Sequence, residues 1–185
     1  MVMQVETSDP PFLDFASIYK THYRRVFGLC RHLLRSSEAA EDATHEVFLR
    51  AQKKLADYDT ALPLSNWLLG IASHYCIDVL RRKGLEARLF EADPVEDLHA
   101  PSHRESPLSE VLARERGNAV RDALAALPDK FRIPLVLAYY NEMSYDEIAV
   151  TLGLKKTHVA TLLFRAKQQM RQTLNTQEKS DEMPQ

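Results

Sequence analysis

The residues best placed to do chemistry lie in the stretch SYDEIAVTLGLKKTHVATLLFRAKQQM, Ser144 to Met170, and that chemistry is recognition of a nucleic acid. Ser144 and Glu147 have the spacing of a capping box, in which a hydroxyl and a carboxylate satisfy the free N–H groups of a helix start. Ile148, Ala149 and Leu152 follow on one face, Gly153 supplies a turn, and a second helix carries Val159, Leu163, Ala166 and Met170 inward. A small residue at 149, a glycine four positions later and an aliphatic at 159 let two helices cross closely, the pattern of a helix-turn-helix. With Val159 as the buried direction and about 100° per residue, the outward face of the second helix is Thr157, Thr161, Phe164, Arg165, Gln168 and Arg171, with His158 at its edge. Lys155 and Lys156 add charge at its start. A face of donors, acceptors and cations suits the major groove of DNA. The alternative is a plain helical hairpin that binds nothing. Phe164 would meet either a thymine methyl group or a partner protein.

Other chemistries find little support. There is no glycine-rich phosphate loop, GxSxG or HExxH, so nothing points to an enzyme. His99 and His103 are four apart, but Pro101 between them forbids a shared helix face, and His22, His32, His45 and His74 form no evident ligand cluster. No metal and no other cofactor is expected. Cys30 and Cys76 are too few for a disulfide framework and make no CxxC pair, which fits a reducing compartment. No apolar run reaches the roughly 18–20 residues that span a bilayer, and the N-terminus lacks a basic start followed by an apolar stretch. A cytoplasmic protein is expected.

The scaffold for these side chains reads as all-α. In 185 residues, 27% are charged and only 5 are glycine, which excludes large barrel enzymes and disfavours turn-rich β structure. Apolar residues at helical spacing mark one helix from Phe12 to Leu34 and a second from Ser36 or Ser37 to near Leu55. A third begins near Ser65, with Leu68, Ile71, Ala72, Tyr75 and Val79 on one face, and ends on the basic turn Arg81, Arg82, Lys83 before Gly84. Residues 84–108, with Pro94, Pro101 and Pro107, read as a flexible acidic linker. A second helical block begins near Leu108, is broken before Pro128 and restarts there, with Pro134 expected to bend the new helix. The expected architecture is thus two small helical domains, 12–83 and 109–175, joined by that linker, with 176–185 a frayed tail.

Charge follows the same division. The chain carries a net charge of −2, yet residues 1–83 hold 11 basic and 10 acidic side chains, 84–108 hold 2 and 6, and 109–175 hold 10 and 7. Binding of a polyanion must therefore use local patches and not a global field.

Four segments together resemble a known family. AEDATHEVFLRA (Ala40–Ala51) and NWLLGIASHYCIDVLRRK (Asn66–Lys83) are similar to region 2 of the sigma factors of bacterial RNA polymerase, in the extracytoplasmic-function group. ALPDKFRIPLVLAYYNEMSYDEIAVTLGL (Ala126–Leu154) and FRAK (Phe164–Lys167) are similar to region 4. The resemblance covers roughly residues 12–174, and both halves occur in the family's order.

It implies a promoter-specificity subunit that binds core polymerase through the β′ coiled coil and the β flap and helps to melt promoter DNA. Glu41, Asp42 and Glu46 match the acidic positions that dock on the β′ coiled coil, with His45, Leu49 and Arg50 on or near that surface. The loop from Asp57 to Asn66, including Asp59, Thr60 and Leu62, matches the segment that captures an unstacked base of the minus-10 element, where a pocket must recover the cost of flipping. The following helix, with Ser73 and His74, would line the adjacent DNA, and Arg81, Arg82 and Lys83 would hold phosphates that position without specifying sequence. Trp67 serves either as a core anchor or as a stacking platform. The outward residues of the second helix would read minus-35 DNA, and an anti-sigma factor is the implied regulatory partner.

The chain departs from the family pattern in places. His45 stands where Gln is common, Ser73-His74 where Arg-Asn is common, and Gly70 often replaces a basic residue. In the recognition helix, His158-Val159-Ala160-Thr161-Leu162 replaces the usual Thr-Val-Lys-Ser-Arg, so two cations are missing. Each lost phosphate contact lowers affinity and flattens its salt dependence, which implies weaker minus-35 binding or a changed preference. The competing reading is a stand-alone helix-turn-helix regulator that needs no polymerase; a helical enzyme with Glu and His metal ligands is a third.

Overall fold

The computed structural model describes residues 14–60, 63–90 and 117–181, and within them every regular element is a helix. Helix α1 (Phe15–Leu34) starts at Asp14, whose carboxylate accepts from the Ala16 amide, and stops at Arg35 in the left-handed conformation, φ 62°. Helix α2 (Ser37–Lys54) starts at Ser36, whose hydroxyl accepts from the Ala39 amide. Glu38 sits in its first turn, where the helix dipole favours a negative charge. A 3-10 turn (Leu55–Asp57) leads toward α3 (Leu64–Arg82) and short α4 (Leu85–Phe90). Helices α1, α2 and α3 pack pairwise around Leu29, Leu33, Val47, Phe48, Leu68 and Ile77.

The second block is α5 (Gly117–Ala126), α6 (Asp129–Tyr139), α7 (Tyr145–Leu152) and α8 (Lys156–Asp181). Pro128 precedes α6, and Pro134 lies within it. The capping box at Ser144 and Glu147 is formed in both directions, and Gly153 adopts φ 70°, which an L side chain resists. Ile148, Ala149, Leu152, Val159, Leu163, Ala166 and Met170 are all buried. The fold is all-α, in two helical domains, and the second carries the helix-turn-helix.

Three features depart from the sequence reading. The buried stripe of α3 is Leu68, Leu69, Ala72, Ser73, Cys76, Ile77 and Leu80, while Ile71, Tyr75 and Val79 are only half-buried. The face is rotated toward Ser73, which meets Asn141 of the second block. Leu85 and Leu89, at the start of the expected linker, are buried in α4, which packs against α6; the residues from 91 to 116 lie outside the described ones, as do His99 and His103. Third, the blocks touch. Helix α6 contacts α1 and α4 as well as α7 and α8, so every residue from Phe131 to Ala138 is buried. A helix buried on all sides is a core element, and α6 is shared by both blocks.

Candidate nucleic-acid interface

One surface belongs to α2. Glu41, His45 and Leu49 recur at four-residue spacing, and Asp42, Glu46 and Arg50 form the row beside them. All are exposed except Glu46, which is half-buried, and Leu49 is 53% exposed. Arg50 donates to Glu46 at 2.7 Å and lies 4.7 Å from the centre of the Tyr75 ring. The result is an acidic patch beside an uncovered leucine.

The second surface is α3 and the segment before it. Asp59, Thr60 and Asn66 are exposed; Leu62 lies outside the described residues. Trp67 is half-buried with its ring centre 5.0 Å from that of Tyr58, which favours the anchoring role. His74 is exposed, its Nδ1 2.7 Å from the Gly70 carbonyl. A side-chain carbon on Gly70 would meet open space, so the lack of a basic residue there has no steric cause. Arg82 and Lys83 are exposed. Ser73, expected to line DNA, is instead fully buried: its hydroxyl donates to the Gly70 carbonyl at 3.0 Å and accepts from the Asn141 amide at 3.1 Å. Arg81 is likewise engaged, donating to the Thr151 carbonyl at 2.8 Å with Asp78 and Glu86 within 3.7 Å.

The third surface is α8. Lys155, Lys156, Thr157, Gln168 and Arg171 are exposed, Phe164 is 43% exposed, and His158 and Arg165 are half-buried. Lys156 pairs with Asp146 at 2.7 Å. Burial holds His158 below its ordinary pKa, so its ring adds a hydrogen-bonding group and no cation at neutral pH. Thr161, expected outward, is buried, with its hydroxyl donating to the Thr157 carbonyl at 3.1 Å. A single buried direction was too simple for a helix packed by α5, α6 and α7 at once. Leu162 is buried as well, and Ala160 is half-buried.

Residues 18–86 match sigma-70 region 2, and residues 117–170 match sigma-70 region 4. The chain is 31% identical over 179 residues to the ECF RNA polymerase sigma factor SigW of Bacillus subtilis, with 94% of each chain covered. The chain belongs to the extracytoplasmic-function sigma factors. It is also 31% identical over 157 residues to SigE of Mycolicibacterium smegmatis, covering 85% of this chain and 60% of that one. A solved structure, the sigma factor RpoE in complex with the anti-sigma factor NepR from Bartonella quintana, shares the fold at a TM-score of 0.55 and 19% identity, covering 88% of this chain and 97% of that one.

This sigma factor is a transcription initiation factor that directs core RNA polymerase to promoters. Its helices α1 to α3 and the start of α4 constitute region 2, and α5 to α8 carry region 4. Among the described residues no helix is long and apolar enough to cross a membrane. The sequence reading missed Gly28, Arg132, Tyr140 and Asn141, which join the two regions. One signal was present: Arg132 interrupts the apolar run FRIPLVLA, and a charge there needs a buried partner.

Proposed function

We propose that this sigma factor grips core polymerase through the α2 face of Glu41, Asp42, His45, Glu46, Leu49 and Arg50, with the β′ coiled coil as the receiving surface and the β flap meeting region 4. Asp59, Thr60, Asn66, His74, Arg82 and Lys83 serve minus-10 DNA. Lys155, Lys156, Thr157, His158, Phe164, Arg165, Gln168 and Arg171 serve minus-35 DNA. The observation that carries this reading is the α2 stripe. Glu41, Asp42 and Leu49 are left exposed in the middle of an otherwise well-packed helix, which suits a surface kept for a partner. The factor acts by binding alone, without catalysis, in the cytoplasm. Its regulator is an anti-sigma factor, a reading supported by the Bartonella sigma factor of like fold, which was solved in complex with the anti-sigma factor NepR.

The test is reconstitution with core polymerase followed by run-off transcription from genomic fragments. Transcripts that start only when the chain is added support the reading. A chain whose helix-turn-helix binds DNA but which neither binds core nor starts transcripts would instead be the stand-alone regulator.

A further inference from the structure

A cavity of about 520 Å³ lies between α1 and the helices α5, α6 and α8, and its lining divides by chemistry. Val120, Leu124, Leu135, Val136 and Met170 make the apolar part. All of these but Leu124 are buried, and none offers a side-chain N–H or O–H. Arg25, His32, Arg121 and Tyr140 make the polar part. Small-molecule sites fall in the range of about 300–1,000 Å³ and combine an apolar lining with a few polar groups that fix orientation. A ligand with a charged head and an apolar body matches this division.

The polar groups run together. The His32 ring centre lies 5.5 Å from that of Tyr140, Arg25 acts on the Tyr140 hydroxyl, and Arg121 acts on His32. Burial pushes the Tyr140 hydroxyl above its ordinary pKa, with Arg25 opposing, so it remains a donor at neutral pH. Burial, and then Arg132, Arg121 and Arg31, hold His32 below its ordinary value, so its ring is neutral in a positive surrounding. The two cations that line the cavity are poorly matched by acids. Arg25 meets Glu142 at 3.6 Å, with both side chains open to solvent, and Arg121 is exposed and pairs with no acid among the described residues. A carboxylate, which only accepts, suits such a set of donors, and charge assistance strengthens each bond. The apolar part is aliphatic, and Met170 can adapt its shape to what lies against it. That favours a flexible alkyl chain over a rigid ring.

The geometry points to a binding site for a medium-chain alkyl carboxylate, with the head group on Arg25, Arg121 and the Tyr140 hydroxyl and the chain along the aliphatic lining. This goes beyond promoter recognition, and the binding needs neither polymerase nor DNA. Helix α1 belongs to region 2 and α5, α6 and α8 carry region 4, so one molecule touches both. A ligand that binds the folded chain and not the unfolded one stabilises it by mass action.

The probe is decanoate, titrated below its micelle concentration into the full chain by isothermal calorimetry. One site per chain is expected, with a dissociation constant below about 1 mM and a rise in melting temperature on saturation. Arg121→Gln should weaken binding about tenfold. Leu124→Trp, which fills the aliphatic part with a ring, should abolish it. Arg121 is exposed and Leu124 is half-buried, so both variants should keep their helicity by circular dichroism; should Leu124→Trp lose it, Arg25→Gln is measured in its place, with the outcome expected of Arg121→Gln. Acetate keeps the head group without the chain, and decylammonium keeps the chain with the opposite charge. Neither should bind over the same range. Absence of decanoate binding, several weak sites per chain, decylammonium binding as tight as decanoate, or an affinity that either folded variant leaves unchanged overturns the inference.

Discussion

The side-chain amide of Asn141 donates to the hydroxyl of Ser73 across 3.1 Å, tying the loop after α6 to the middle of α3. Ser73 keeps a second bond, to the Gly70 carbonyl of its own helix. Asn141→Ala therefore removes an attachment between the regions without orphaning the Ser73 proton. Such a bond contributes about 1 kcal/mol. A urea melt should show stability lower by about that amount, with helicity unchanged.

Replacing Glu41 and Asp42 together by Ala should weaken core binding about tenfold or more. Charged pairs across an interface steer association and set its salt dependence. Both carboxylates are exposed, and neither forms an ion pair among the described residues, so the melting temperature should stay within about 2 °C of wild type. Titration of labelled chain with core polymerase, beside a thermal melt, separates the two effects.

The recognition helix offers a contrast between neighbours. Ala160 is half-buried and Leu162 is buried. Ala160→Lys should tighten binding to minus-35 DNA and steepen the dependence of log K on log salt by about 0.9. Leu162→Arg, although it restores the family's common residue, should cost about 2 kcal/mol or more, because a cation enters an apolar site. Anisotropy over a salt series and a chemical melt distinguish these outcomes.

The capping box ties region 4 to pH. The Ser144 hydroxyl and backbone amide hold the Glu147 carboxyl below its ordinary value of 4.5. A depressed carboxylate contributes stability above its unfolded pKa, and this is lost as pH falls through the folded value. Ser144→Ala should lower stability by about 1 kcal/mol at pH 7 and flatten the decline between about pH 5 and 3. Urea melts at several pH values read both.

The junction between the regions should weaken in mild acid through His32. Burial, and then the charges of Arg132, Arg121 and Arg31, hold its pKa below the ordinary 6.5. Its ring centre is 5.5 Å from that of Tyr140 across the junction. A base whose pKa is depressed by folding leaves stability at its full value above its ordinary pKa, and stability declines as pH falls below it. Urea melts should therefore show stability falling between about pH 7.5 and 5.5, and His32→Phe should flatten that fall.

Much of this was legible in the sequence because the signals were local. Capping at Ser36 and Ser144, the turn at Gly153 and the buried row Val159, Leu163, Ala166 and Met170 depend on residues a few positions apart. Glu41, Asp42, Glu46 and Leu49 were singled out through the family resemblance and not through periodicity, and of these only Glu46 is half-buried rather than exposed. The burial of Ser73 and Thr161 was not legible, since each is buried by elements beyond the span of helical periodicity. Arg81 likewise looked like a free basic turn, and only the approach of Thr151, 70 residues away, engages it. A periodicity reading assigns each helix one packed side, and α3, α6 and α8 have more than one.

The enclosure of α6 bears on how the two regions lose their structure. Leu85 and Leu89 of α4 and part of the Phe131–Ala138 helix are covered across the junction between the regions. A substitution that loosens α6 is therefore felt in both regions at once, and the two should melt as one cooperative unit rather than as separate domains.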